Sequence, residues 1–204
     1  MIKSILFDMG NVLIRFDREF FIDRLGVAPG DRPLLMREVF LSVEWVQMDR
    51  GSIAEPEALA RICRRLPGRL HDAAEKLVAM WDRPILPIDG MYELVAELKN
   101  AGYAIYLLSN ASIRQHEYWP RVPAHVFFDG TIISADVGVM KPGAEYYLRA
   151  LNKFGLKAEE CFFVDDVPAN VEGACYCGID GAVFHGDAAL LRSQLRAAGV
   201  QISE

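Results

Sequence analysis

Three apolar runs in this chain stop at oxygen-bearing side chains: ILF at Asp8, YLL at Ser109 and Asn110, and FFV at Asp165 and Asp166. In an open parallel sheet the ligand crevice lies beyond the carboxyl ends of the strands. If these runs are strands of one such sheet, a single rim carries three aspartates and a serine. Lys141, in the turn before Pro142 and a helical stretch, is placed to join them. Three carboxylates at low dielectric repel one another strongly unless a cation sits among them. An all-oxygen donor set suits a hard ion, and Mg²⁺ held by few carboxylates and waters is the natural choice.

The elements that must deliver these groups can be read from periodicity. Residues 4–9 form a short apolar run, broken by Gly10 and Asn11. From Phe16 to Trp81 the pattern is helical. Phe20, Phe21 and Leu25 fit a first helix, Pro33 opens a second through Val39 and Phe40, Pro56 opens a third, and DAAEKLVAMW supplies a fourth. After Pro84 and Pro87 strands and helices alternate: a helix capped by Asp89, then YAIYLLSN, HVFFDGTIIS over 125–134, a helix around 143–155, CFFVDD, a helix around ANVEGACYCG, GAVFHG, and a last helix after Asp187. Apolar strands separated by helices predict a parallel sheet covered on both faces. The expected fold is therefore α/β: a doubly wound, mainly parallel Rossmann-like core of residues 1–15 and 86–204, interrupted by an all-helical module over 16–85. The joints near 14–17 and 84–87 read as hinges.

Composition narrows the partners. Of 204 residues, 52% are hydrophobic and 25% charged, with a net charge of −6, the balance of a globule with an ample core. An acidic surface argues against nucleic acid and anionic membrane as partners. The run Arg61, Arg64, Arg65 and Arg69 reads as the solvated face of a helix. No stretch has the ~18 consecutive apolar residues of a membrane span. Cys63, Cys161, Cys175 and Cys177 show no zinc or CxxC spacing and read as reduced packing residues. With no signal-peptide pattern at the N-terminus, a cytoplasmic location is expected, as a monomer or weak homodimer.

FDMGNVL (7–13), LLSN (107–110), KP (141–142) and FVDDVPAN (163–170), in this order and spacing, resemble the four motifs of the haloacid dehalogenase-like hydrolases. The resemblance covers essentially the whole chain, including a helical cap after the first strand. DMGNVLIRFD, SNASIRQHEYWP and ISADVGVMKP further resemble a branch of bacterial sugar-phosphate phosphatases acting on glucose-1-phosphate, and the phosphatase-like N-terminal domain of soluble epoxide hydrolases. This resemblance implies a Mg²⁺-dependent phosphatase of a small phosphorylated metabolite. Asp8 would be the nucleophile forming an aspartyl-phosphate. Asp8, the Gly10 carbonyl, Asp165 and Asp166 would hold the metal. Ser109 and the main-chain N–H of Asn110 would hold phosphoryl oxygens. Lys141 would contact phosphate and balance the acids.

One departure from the family pattern stands at Gly10, where its phosphatases usually carry the aspartate that protonates the leaving group. General acid–base help is worth roughly 10²–10⁴-fold. The proton would then come from a metal-bound water, from a cap residue, or from nowhere, and sugar 1-phosphates need it least. Two other readings stay open: a metal-independent 2-haloacid dehalogenase, against which the Asp165–Asp166 pair argues, and a degenerate phosphosugar- or protein-binding module. Asn170 is expected to support the metal loop, and Asn11 to stabilise the turn after Asp8 or orient the nucleophile loop. In the cap, Arg15, Asp17, Trp45, Gln47, Asp49 and Arg50 are candidate substrate contacts. His116, Tyr118 and Trp119 read as packing beneath the Ser109 loop.

Overall fold

The computed structural model describes residues 1–202. Five strands form one parallel sheet: β1 (Ser4–Phe7), β2 (Ala104–Ser109), β3 (Gly130–Ile133), β4 (Cys161–Asp165) and β5 (Asp180–Val183), in the order β3-β2-β1-β4-β5. Sequence order reverses at β1, so the three strands that end in polar groups lie side by side. Phe7 is in register with Leu107 on one side and Val164 on the other. Asp8, the end of β2 and Asp165 therefore emerge at one level of the rim.

The period-2 alternation of the strands sends side chains to two apolar layers. Ile5, Phe7, Ile105, Leu107, Phe162 and Val164 pack with α6 (Met91–Asn100) and α11 (Ala188–Ala197). Leu6, Leu108 and Phe163 pack with Tyr146, Tyr147 and Ala150 of α9 (Ala144–Phe154) and Ala174 of α10 (Pro168–Tyr176). This is the doubly wound α/β fold that the alternating pattern predicts.

Between β1 and α6 lie five helices: α1 (Arg18–Asp23), α2 (Arg32–Leu35), α3 (Val43–Asp49), α4 (Glu55–Cys63) and α5 (His71–Met80). Their apolar faces close on a separate cluster that includes Ile22, Leu35, Val39, Ile62, Ala74 and Leu77. α2 runs on into a π-turn over Met36–Phe40, where Leu41 N–H bonds to the Met36 carbonyl at 3.0 Å. α3 has no counterpart in the sequence reading; Ser42 starts it by accepting from Trp45 N–H at 3.2 Å. The two joints are bonded to each other, Arg15 N–H to the Leu86 carbonyl at 2.7 Å and Ile88 N–H to the Leu13 carbonyl at 3.0 Å.

Three further expectations need correcting. The strand expected over 125–134 is only Gly130–Ile133, because Pro123–Phe127 forms 3₁₀ turns and pairing starts after Asp129. Asp129 ends that turn by accepting from Ile105 N–H at 2.8 Å. The cap of α6 is Gly90, left-handed at φ 79°, and not Asp89. Cys175 is exposed, so it is no packing residue, whereas Cys161 is buried and all four thiols are free. In the basic run Arg65 grips Glu44 with two N–H groups at 2.9 and 2.7 Å, and Arg69 pairs with Asp31 at 2.6 Å. Among the described residues no helix is long and apolar enough to cross a membrane.

Candidate active site

The rim brings the expected groups together around Lys141. The lysine is buried, and its ammonium donates to Asp8 Oδ1 at 2.7 Å, to Asp165 Oδ2 at 2.6 Å and to the Leu108 carbonyl at 2.8 Å. Burial works against its charge, but Asp8 and Asp165 outweigh this and hold the lysine above its usual range. Burial likewise pushes the Asp8 carboxyl upward; Lys141 opposes the shift and Asp165 adds to it. Lys141 is held in turn by Asn110, whose side-chain amide donates to the Lys141 carbonyl and accepts from its N–H, both at 2.9 Å.

Asp165 is fully buried and its oxygens are heavily used. Besides Lys141, it accepts from Val167 N–H at 2.8 Å and from Asn170 Nδ2 at 3.0 and 3.1 Å. Asn170 thus ties the start of α10 to Asp165. Asp166 takes one bond from Asn11 Nδ2 at 3.1 Å. Asn11 adopts φ 53°, a left-handed conformation that asparagine tolerates, and its Oδ1 accepts from Phe16 N–H at 3.0 Å. Asn11 thus links the turn after Asp8 to Asp166 on the neighbouring strand end.

The donor set fits a divalent cation. Asp8, Asp165 and Asp166 each offer an oxygen, and these atoms lie within 4.8 Å of one another. With Lys141 on Asp8 Oδ1, the other oxygen faces the Gly10 turn: a Cβ added at Gly10 would lie 3.9 Å from Oδ2. Asp166 accepts one side-chain hydrogen bond, from Asn11, and Asp8 one, from Lys141, so both keep oxygen lone pairs for an ion.

Two tyrosines of α9 that sequence reasoning passed over brace this rim. Tyr146 Oη donates to the carbonyls of Ser109 at 3.0 Å and Ile132 at 2.8 Å, and Tyr147 Oη donates to the Asn170 carbonyl at 2.6 Å. Both appear in sequence as apolar helix positions, and no local signal marks their hydroxyls.

Over the rim lies a cavity of about 330 Å³ that reaches from Asp8, Ser109, Asn110 and Lys141 into the helical segment. Of the six cap candidates, Trp45 and Asp49 line it. The other four lie elsewhere for separate reasons. Asp17 caps α1 by accepting from Phe20 N–H, Gln47 is bonded to Arg61 and Ser52, Arg50 is exposed at the end of α3, and Arg15 borders a neighbouring groove. Phe16, Arg18, Phe40, Glu55 and Trp81 line the cavity without having been singled out. Phe16 is the hub of the aromatic wall, with ring centroids 4.9 Å from Trp81, 5.7 Å from Trp45 and 5.8 Å from Phe40. Tyr118 is buried and packs on Trp81 at 5.0 Å, yet it also lines the cavity.

The helical segment docks onto the core through α3. The Asp49 carbonyl accepts from Ser134 Oγ, which also accepts from Ala111 N–H at 2.9 Å. Gly51, φ 74°, lies so close to Ala135 that any Cβ would strike that residue's carbonyl.

Known proteins agree with this architecture. A family model described as haloacid dehalogenase-like hydrolase matches residues 2–178. The chain is 29% identical to a sesquiterpene phosphatase of Aspergillus oryzae over 88% of both chains. It is 28% identical to a flavin mononucleotide hydrolase of Arabidopsis thaliana over 78% of its own length, and spans 63% of that relative. A HAD-family enzyme of Bacteroides thetaiotaomicron, solved with magnesium and inorganic phosphate, superposes with a TM-score of 0.70 at 24% identity, covering 94% and 99% of the two chains. The motif spacing, the strand order and the family match converge, and the chain belongs to the haloacid dehalogenase-like hydrolases.

Proposed function

We propose that this protein is a Mg²⁺-dependent phosphatase of small organic phosphomonoesters, working through an aspartyl-phosphate on Asp8. The observation that carries the reading is the grouping of Asp8, Asp165 and Asp166 around one buried lysine at the mouth of a cavity. A cation gathered by three carboxylates and a fixed ammonium suit a phosphoryl group, which spreads charge over three oxygens.

In this mechanism Asp8 Oδ2 attacks phosphorus, while Oδ1 stays on Lys141. Ser109 Oγ and the Asn110 main-chain N–H hold phosphoryl oxygens. Lys141 keeps Asp8 ionised and meets the charge that develops at phosphorus. Asp8, Asp166, the Gly10 carbonyl and, directly or through water, Asp165 would hold Mg²⁺. The chemistry that ion supplies is neutralisation and alignment of the phosphoryl oxygens. Residues 16–85 form the cap in this reading and residues 1–15 and 86–204 the core, a division supported by the cap's separate apolar cluster.

Within phosphomonoesters the sequence favours a sugar phosphate. The wall of Phe16, Phe40, Trp45 and Trp81 supports a second substrate class, esters with an apolar or aromatic leaving group. The four free thiols support a reducing, cytoplasmic setting.

The test is phosphate release from sugar, prenyl, nucleotide and aryl phosphates, with and without EDTA, for wild type and Asp8→Asn. Release that needs both Mg²⁺ and Asp8 is expected. Turnover that survives chelation would point to metal-free chemistry of the dehalogenase kind. Calorimetry supplies a readout apart from activity: Asp166→Asn should weaken Mg²⁺ binding. Mg²⁺ binding without any release would point to a binding module.

A further inference from the structure

Breaking an alkyl phosphate ester leaves an alkoxide, a poor leaving group unless something protonates it as it departs. At the rim, Asp8 is the nucleophile of the proposed mechanism, Lys141 is saturated by three acceptors, and Asp165 and Asp166 serve the cation. Gly10 has no side chain. Side chains that could carry a proton lie on the cap side, where the cavity holds two carboxyl groups, Asp49 and Glu55.

Of these, Asp49 is the one built into place. It ends α3, and its carbonyl is fixed to the core through Ser134, whose hydroxyl also holds Ala111 in the loop that follows Ser109. Gly51 packs against Ala135 immediately beyond it. Asp49 lines the cavity together with Trp45 of its own helix and Ser112 of the loop that follows Ser109, so it stands between cap and catalytic loop. Buried Tyr118 lines the same cavity as both Asp49 and Asp8.

We propose that Asp49 is the catalytic acid and base of this site, supplied by the cap in place of a side chain at position 10. The proposal rests on the phosphatase reading and names the residue that would complete it. As Asp8 Oδ2 bonds to phosphorus, the bond from phosphorus to the ester oxygen breaks. Its electron pair goes to that oxygen, which takes the Asp49 proton and leaves as an alcohol. Asp49, now a carboxylate, accepts a proton from water as the water oxygen bonds to phosphorus. The Asp8–phosphorus bond breaks, inorganic phosphate leaves, and Asp8 is again a carboxylate and Asp49 a carboxylic acid. Burial supports this cycle, because it pushes the Asp49 carboxyl up to about 8, against the opposing influence of Ser112, Arg18 and Trp45.

The experiment compares first-turnover rates of Asp49→Asn and wild type, with Mg²⁺, on p-nitrophenyl phosphate and on an alkyl phosphate of similar size. Asparagine keeps the size of the side chain but cannot give up a proton. The alkyl ester should slow by roughly 10²–10⁴-fold. The nitrophenolate burst, whose leaving group needs no proton, should keep its wild-type rate and be followed by slow steady turnover. Equal losses on both esters at an unchanged melting temperature, or no loss on either, would overturn the proposal. The phosphatase reading fails differently: wild type would release phosphate from neither ester, and Asp49 would lose its role with it.

Discussion

Asn110 and Lys141 exchange two hydrogen bonds of 2.9 Å, the asparagine side-chain amide standing in for a strand partner of the lysine main chain. This pairing holds the lysine backbone, while its ammonium crosses the end of β1 to reach Asp8 and Asp165. Asn110→Ala should therefore lower kcat by about tenfold or more, since misplacing a charged group in a site is costly. KM should move less, and the melting temperature should stay near wild type. Asn110→Asp should not rescue, because a carboxylate cannot donate to the Lys141 carbonyl. Steady-state kinetics on the two variants check this.

The acid role of Asp49 sets a pH limb. Its carboxyl is raised to about 8 by burial, and the charged or titratable groups around it are Arg18, which lowers it, and Tyr118. The proton is present below that value and lost above it. Turnover of alkyl esters should fall as pH rises through about 8, with the nitrophenolate burst flat over the same range. Asp49→Asn should remove the limb. The stability sign is the same: a raised carboxyl contributes most at low pH, and that contribution is lost as pH rises through the folded value.

Space at Gly10 gives a rescue experiment. A Cβ there would meet only ordinary contacts, 3.9 Å from Asp8 Oδ2 and from Phe16 Cβ. Gly10→Asp in the Asp49→Asn background should recover at least tenfold of the lost alkyl-ester rate, by restoring an acid on the core side. First-turnover rates of single and double variants measure it.

Where the chain leaves α5, Asp82 is fully buried and binds Arg114 at 2.8 Å together with Arg121. Burial penalises its charge, but the two guanidinium groups outweigh that and hold it below the usual carboxylate range. Asp82→Ala leaves buried Arg114 with only exposed Glu117 as an ion-pair partner, at 3.3 Å, and should cost on the order of 3 kcal/mol, read as a lower urea midpoint. The stabilisation from Asp82 is present above the unfolded carboxylate value and lost as pH falls, so wild type and variant should converge in acid.

The sequence by itself determined the core and the rim. Apolar runs with polar ends are local patterns, and a parallel sheet turns them into neighbouring positions whatever else the chain does; Asp8, Ser109, Asp165 and Asp166 were legible for that reason, and Lys141 from its turn before Pro142 and a helix. It placed the helical segment between β1 and β2 but missed α3, which begins at a serine cap in the middle of a longer helical pattern. Only the tertiary structure decided which cap residues meet the site. Trp45 and Asp49 were indistinguishable in sequence from Gln47 and Arg50. Their placement depends on the rotation of α3, set by contacts with residues more than eighty positions away: Ser134 on the Asp49 carbonyl and Ala135 against Gly51. Phe16 and Trp81, from opposite ends of the inserted segment, meet in one wall because the two joints are bonded together. Contacts between distant segments leave no periodic trace in a chain, so the polar end of a strand can be read from residues alone, and the aim of a cap carboxyl cannot.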